Sequence, residues 1–584
     1  MALLSKTSIY IAGKEVTSFK KLFLGQKIAE HHTLEIIFRM DMFEKEASGL
    51  GEKSKEFLGE TIAVQTSSIS DKSKMGKLEF KGLVTEVKIV KAENVDLGDE
   101  IVLIAKSPTI KADGGAHYDS FNEMRLDGIV NSILNNYKLN TDVNSKYTDM
   151  IDYCVQHNES GFDFVRRLAS QYGEWMYYNG DKLIFGKPEI EETPLNYRQD
   201  LIEYKLCLIP LPRNVNYFSN NYLSDTIEEN DTLPKPAGSS FDGFVDSVSQ
   251  DFYNIQTNSW NNNNNSPSAG SQLKTKVKTQ LEGVAINQVK LIGSTSNPGV
   301  KLGNLIVVED EKYRVIEVNH SVNVSGEYEN NFEAISGSYD AYPLTDINAF
   351  PRSMSQVGVV TENHDPEALG RIRVQFPWQV KQGKMSCWMR VVSMQAGGSG
   401  GMYRIPHVGD EVIVDFENGN AEIPYTSGSV YNRNSPPPAG SSHASNHFTV
   451  WQVGPCKITI NEGDGSITII DKSSSEIKFD GEGNITINAT ANIDLVALDG
   501  EINLNSPTIN IGLESSEPDL TNIHGKKIHI HASQELDLKS DIKLNASGVK
   551  TIVEGSGTNE VKGAKVKVAG TAMTEIKGGI VKVN

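Results

Sequence analysis

The chain has 584 residues, and a scale of roughly 150 residues per domain implies three or four domains and no single compact core. Lys and Arg total 56 against 75 Asp and Glu, a net charge of -19, so nucleic acid is not an expected partner, because phosphate binding needs a basic face. Only 38% of the residues are apolar, no run of roughly 18 apolar residues could cross a bilayer, and Met1 to Val16 carries Lys6 and Lys14 where a cleaved secretory signal would be unbroken.

Residues 1–350 read as mixed α and β with strands dominant. Leu34 to Phe38 and Leu78 to Val84 are strand-length and bounded by turn residues. A helix is predicted from about Leu126 to Tyr137, with Ile129, Val130, Ile133, Leu134 and Tyr137 on one face. A second follows Ser160, which with Asp163 forms a loose capping box, and stops at Gly173. Its stripe of Phe164, Val165, Leu168, Ala169 and Tyr172 carries no acid, base or metal ligand and is expected to be core. Residues 254–272 are rich in Asn, Ser, Gly and Pro, including Asn261 to Asn265, and read as a flexible exposed loop. Strands resume at Gln288 to Ile292, Leu305 to Val308 and Tyr313 to Val318.

Residues 351–432 form an all-β unit. Its clearest strands are Val357 to Thr361, Arg371 to Phe376, Cys387 to Val392 and Glu411 to Phe416, with a fifth near Pro424 to Val430. The turns at Asp365-Pro366, Gly370 and Gly397 to Gly401 suit a small closed barrel of the OB type. The glycine cluster lacks the Lys-Ser/Thr and helix of a phosphate cradle. Residues 433–455, with Pro436 to Pro438, read as a linker. The cysteines Cys154, Cys207, Cys387 and Cys456 form no CxxC pair and read as isolated thiols of a reducing compartment.

From residue 456 to 584 the pattern changes. Apolar doublets at i and i+2 recur at Ile458/Ile460, Ile467/Ile469, Ile477/Phe479, Ile485/Ile487, Ile493/Leu495, Ile502/Leu504 and Ile509/Ile511, and again at Ile528/Ile530, Leu536/Leu538, Ile542/Leu544, Val566/Val568 and Val581/Val583. Two inward residues per short strand and a polar turn are the signature of a β-solenoid. One such strand cannot bury its face, but three strands around an axis can, from one chain or from three chains wound together. At about 4.8 Å per repeat the three-chain form would be a rod on the order of 70 Å long. A single-chain solenoid, as a scaffold or a carbohydrate-cleaving surface, is the alternative.

Val357 to Val360, Asp365-Pro366, Leu369 to Val374 and Trp378, continued by Gly400 to Phe416 and Gly428 to Asn432, resemble the OB domain of the type VI secretion spike family VgrG. Glu159 to Leu168 with Tyr172-Gly173 and Trp175 resemble the helix of the phage tail hub. The resemblance implies a mainly β protein: tail-hub β-barrels with a few helices, an OB-fold barrel and a C-terminal triple-stranded, trimeric β-helix. It implies a homotrimer whose two barrel subdomains per chain match a hexameric inner-tube protein, contacts with baseplate proteins, and non-covalent effectors. The spike would assemble in the cytoplasm and leave without a signal peptide. A contractile phage tail, or a particle derived from one, is the alternative setting. A PAAR-type tip protein is expected on Ile580, Val581, Val583 and Asn584, where the alternating pattern reaches the chain end uncapped.

No enzyme activity, catalytic residue or cofactor is expected, since residues 433–455 leave no room for a lysozyme-like insert and nothing follows Asn584. His529 and His531 point the same way in a strand, so a threefold axis would gather six imidazoles, a transition-metal arrangement. The inward set Ile528, Ile530, Leu536 and Leu538 places both histidines outside, so they are weak candidates and no metal is expected. His443 and His447 sit where no helix would pair them. Lys562, Lys565, Lys567, Lys577 and Lys582 against Glu560 and Glu575 make the distal end locally basic. They read as solvated strand faces, with attraction for an acidic tip protein or anionic lipid as the alternative.

Overall fold

The computed structural model describes residues 5–43, 54–69, 76–91, 98–231, 239–261, 268–442, 444–511 and 521–583. It divides into a unit of Met1–Ile467 with Asp480–Glu482 and a unit of Thr468–Phe479 with Gly483–Asn584.

The first unit is organised by one 13-stranded sheet. Period-two alternation builds it: in Thr33–Arg39, Leu34, Ile36 and Phe38 are buried while Glu35 and Ile37 are half-buried. The sheet joins distant parts of the sequence, because Glu311–Asn323 pairs antiparallel with Lys21–Lys27. It serves two cores. One gathers Ile9, Leu22, Leu24, Phe38, Val64, Phe80 and Leu103 between strands. The other packs helices α1 (Leu126–Leu134) and α2 (Gly161–Tyr172) with Trp175, Tyr177, Phe185 and Tyr342.

The local signals of α2 act as expected. Ser160 Oγ accepts from the Asp163 amide at 3.0 Å, and Gly173 takes φ +67 at the C-cap, a left-handed conformation that suits glycine. Two further helices, α3 (Ser240–Phe252) and α4 (Ala269–Ile286), were not anticipated. They correct the reading of residues 254–272 as one flexible loop. Thr257–Trp260 is a strand paired parallel to Val215–Asn221, and α4 begins at Ala269 because Leu273, Val277 and Leu281 find a core against Tyr217 and Ile347. Residues 262–267, most of the Asn run, lie outside the described residues.

Gln356–Glu362, Arg373–Gln375, Arg390–Val391, Glu411–Phe416 and Pro424–Val430 form a five-stranded sheet around Val360, Ile372, Val374, Phe376, Met389, Val412 and Val414. Ile372 and Met389 exchange backbone hydrogen bonds of 3.0 and 2.9 Å, which joins the two ends of the sheet into a barrel. The span read as a linker also holds structure: Phe448–Val453 turns at Gly454 and pairs antiparallel with Cys456–Asn461. Its alternating Phe448, Val450 and gap before Gly454-Pro455 give a hairpin its strand and its turn.

In the second unit, Glu476–Phe479 pairs with Ile485–Asn488. Beyond Asn488 the described residues contain no strand, and the apolar doublets lie exposed, with Ile542 at 99%. The alternating pattern is present, but a single chain supplies no opposite face for it.

Candidate functional site

The most heavily constrained surface lies where the OB barrel meets a separate two-stranded sheet and α2. Strands His117–Arg125 and Met150–Glu159 form an antiparallel pair, and the second runs through Ser160 into α2. Tyr153 and Val155 pack on Cys387 and Ala421 of the barrel region, with Trp378 and Phe416 beside them.

Behind this apolar contact is a buried polar cluster. Arg167 of α2 donates from Nε to Glu159 Oε1 at 2.8 Å, from Nη2 to the Val155 carbonyl at 2.6 Å and from Nη1 to Gln171 Oε1 at 3.1 Å. It reaches Glu422 Oε1 at 3.5 Å. Glu422 also accepts from the Val155 amide at 3.3 Å and from Gln171 Nε2 at 3.3 Å. Burial opposes the charge on Arg167, but the carboxylates of Glu422 and Glu159 more than offset it and hold the guanidinium above its usual value. Lys276 of α4 is buried nearby with its ammonium 4.8 Å from the centre of the Tyr172 ring. Burial lowers its pKa, and Glu422 works in the other direction. Tyr153, Tyr172, Lys276 and Glu422 help line a cavity of about 50 Å³, large enough to admit water.

A second row of contacts runs along the other strand. Gln379 Nε2 donates to Ser120 Oγ at 2.7 Å, Asn122 Nδ2 to the Met385 carbonyl at 2.8 Å, and Lys384 pairs with Asp119. Gln356 Nε2 donates to His157 Nε2 at 3.0 Å. From a third direction, Tyr222 lies beneath the Arg390 guanidinium at 4.6 Å. Buried and half-buried polar contacts from several elements fix an orientation more strictly than an apolar patch would. The junction is therefore a rigid mount. Cys387 belongs to it, and burial pushes its thiol up to about 12, which removes it from thiolate chemistry.

Sequence reasoning missed this mount. Arg167 and Gln171 sit off the apolar stripe of α2, and a buried polar flank beside a core stripe is visible only once its partner is placed.

The predicted distal residues are exposed: Ile580 at 82%, Val581 at 51% and Val583 at 87%. Asn584 lies outside the described residues, as does His443. His529 and His531 are exposed, and the chain does not bring them together with other ligands: among the described residues no group of three or more His, Cys, Asp or Glu could hold a metal ion.

The distal segment has an order that the doublets alone do not reveal. Residues 548–562 and 563–577 align at an offset of 15, with Gly548/Gly563, Lys550/Lys565, Val553/Val568, Gly555/Gly570, Glu560/Glu575 and Lys562/Lys577 in register, and Gly578, Val581, Lys582 and Val583 continue it. The conformation repeats as well. A Cβ placed on Gly563 would lie 3.7 Å from Val566 Cγ2, and one on Gly578 would lie 3.7 Å from Val581 Cγ2. Glu560 pairs with Lys562 at 2.7 Å, and Glu575 pairs with Lys577. Sliding the sequence against itself would have found this.

A large hub sheet with a docked OB barrel and an alternating tail is the architecture of the hub and spike proteins of contractile injection machines. Comparison with known proteins agrees. Residues 38–194 match the phage tail baseplate hub (GPD) family, and residues 356–431 match the type VI secretion system/phage-baseplate injector OB domain. Type VI secretion system spike protein VgrG1a of Pseudomonas aeruginosa is 21% identical over 312 residues, 48% of this chain and 48% of its own length. Actin cross-linking toxin VgrG1 of Vibrio cholerae is 23% identical over 328 residues, 49% of this chain and 29% of its own length. The chain thus spans half or less of these relatives. The structure of the half-lidded Francisella PdpA-VgrG complex superposes with a TM-score of 0.54 at 10% identity, covering 83% of this chain and 88% of that one. The chain thus carries a baseplate-hub segment and an injector OB domain, and over about half its length it is similar to VgrG spike proteins.

Proposed function

We propose that this chain is the spike of a type VI secretion system. Three copies form a hub on the hexameric inner-tube protein, carry the OB barrels as a collar, and wind residues 456–584 into a needle that is driven through a target membrane. The observation that carries the reading is the run of exposed apolar doublets beyond Asn488, which one chain leaves uncovered and two further copies would bury. The buried mount between hub and OB barrel supports it, because a part driven end-on must not pivot on its base.

The chain acts as a structural element and not as an enzyme. The named relatives support this in the main as spike proteins, although one is named a toxin. A PAAR-type tip protein sits on Ile580, Val581, Val583 and Asn584, baseplate proteins hold the hub, and effectors ride without a covalent link. No cofactor is needed, and His529 and His531 stay outside the needle without a metal. The protein is assembled in the cytoplasm and leaves by contraction. No helix among the described residues is long and apolar enough to cross a membrane. The hub family's description names phage baseplates, which supports a phage-derived particle as the second setting; neighbouring sheath-recycling or capsid genes separate the two. The testing experiment is the mass and low-resolution image of the purified protein. A three-chain particle with a torus and needle is expected, and a compact monomer would overturn the reading.

A further inference from the structure

The chain is acidic, at -19, yet residues 548–584 carry Lys550, Lys562, Lys565, Lys567, Lys577 and Lys582 against only Glu554, Glu560 and Glu575, a local net charge of +3. Two of these lysines are neutralised within the repeat by Glu560 and Glu575. The other four, Lys550, Lys565, Lys567 and Lys582, are exposed, and none has a carboxylate within ion-pair distance among the described residues. They occupy third and fifth positions of the 15-residue repeat, with Ile580 and Ile552 at the remaining two; two residues apart in phase, they would share a face once this segment is wound into strands.

Resting on the spike reading, we infer that these four lysines form a cationic sleeve around the distal needle that binds anionic lipid headgroups. Two 4.8 Å strand steps per repeat set successive rows about 10 Å apart, close to the Debye length of about 10 Å at 0.1 M salt. Neighbouring rows therefore act on a charged surface together. Each lysine near an anionic bilayer contributes about 1 kcal/mol, and three chains supply twelve. On this outward lysine face, as distinct from the blunt end at residues 580–584, a protein partner is the less suited occupant. Residues 548–584 contain no Trp, Tyr, Phe or Arg, the types that anchor specific protein interfaces. Evenly repeated point charges without anchors match a fluid array of headgroups.

The experiment is flotation of the full-length protein with vesicles of equal parts phosphatidylglycerol and phosphatidylcholine, and with vesicles of phosphatidylcholine alone. Binding is expected only to the first and is expected to fall as salt rises. The K550Q/K565Q/K567Q/K582Q variant should bind at least about tenfold more weakly, while K562Q/K577Q, which removes lysines already paired, should lose far less. Equal binding to both vesicles, an unchanged quadruple variant, or wild-type protein that ignores vesicles but is held by polyglutamate would overturn the inference, the last in favour of an acidic protein. Particle mass is read on the same samples. A trimer that ignores anionic vesicles sinks the sleeve alone, and lysine-dependent binding by a monomer sinks the spike reading alone.

Discussion

Arg167 of α2 and Glu422 beside the OB barrel meet at 3.5 Å with both side chains 10% exposed, 255 residues apart in sequence. The pair joins two regions that the sequence presents as separate domains. Removing Glu422 takes away one of the two carboxylates that hold Arg167 and leaves Glu159 as the other, so the expected loss lies below the about 3 to 5 kcal/mol of a buried charge left wholly unpaired. Glu422→Ala is therefore expected to lower the unfolding midpoint clearly, and Arg167→Met with Glu422→Leu should recover part of the loss. Denaturant melts of the single and double variants check this; additive losses would show that the two residues are not coupled.

Asp365 and Arg371 make the corresponding buried pair inside the OB barrel. The guanidinium donates to both carboxylate oxygens, at 3.0 and 2.8 Å, and the amides of Glu367, Leu369 and Arg371 donate to the same carboxylate. Burial opposes ionisation, but the Arg371 and amide donors outweigh it and bring Asp365 down to about 2 from 3.8. A carboxyl depressed in the fold stabilises it above its unfolded value and loses that stabilisation as pH falls from about 4 through about 2, here roughly 2 kcal/mol. Asp365→Asn should flatten that acid limb while costing stability at neutral pH, as read by melts across the two pH ranges.

How legible these features were differs by scale. The N-cap at Ser160, the stop at Gly173 and the strands Glu411–Phe416 and Pro424–Val430 rest on local chemistry, and the structure has them where the residues put them. The capping box of Ser239 and Asp242 and the Leu273, Val277, Leu281 spacing of α4 were equally local, but the Asn-rich tract between them drew the reading toward a loop. The strand Arg390–Val391 is shorter than its apolar pattern suggested, because Cys387 turns away to pack on Tyr153 and Val155. Arg167, Lys276 and Glu422 carried no signal, since a buried charge looks like a surface charge until its partner is placed.

Two buried histidines give the hub a pH limit of its own. Gln26 Nε2 lies 3.1 Å from His32 Nδ1, Gln26 Oε1 lies 2.9 Å from His320 Nε2, His320 Nδ1 lies 2.6 Å from the Tyr328 hydroxyl, and Asn330 Nδ2 donates to that hydroxyl at 2.9 Å. The chain is satisfied only if both imidazoles are neutral: Gln26 donates to His32, His320 donates to Gln26, and Tyr328 donates to His320. Burial pushes both histidines down to about 3. The unfolded chain then takes up protons first, so stability is full above about 6.5 and falls with pH from there toward 3, by up to about 1.4 kcal/mol per unit for each histidine. Unfolding free energies between pH 7 and 5 should show that slope, and His320→Gln should roughly halve it. A flat profile would mean that the network reorganises to accept the protons.

The exposed doublets of the second unit yield the most direct separation of parts. If Leu536 and Leu538 face two other chains, replacing both with Asp puts six carboxylates on one axis and removes six leucine side chains from burial. At about 1.5 to 3 kcal/mol per buried leucine the loss is on the order of 10 kcal/mol per trimer, before repulsion among the charges is counted. The hub has cores of its own and the OB barrel another, neither of which includes these leucines. The L536D/L538D variant should therefore keep its hub unfolding transition, lose a separate needle transition, and open to protease beyond about residue 490. Lys539→Asp, one step out of phase, adds the same charge to an outward position and should leave the needle transition within about 0.5 kcal/mol of the parent. Calorimetry of the parent and both variants reads the three outcomes together, and identical traces for all three would mean that the doublets do not face a shared core.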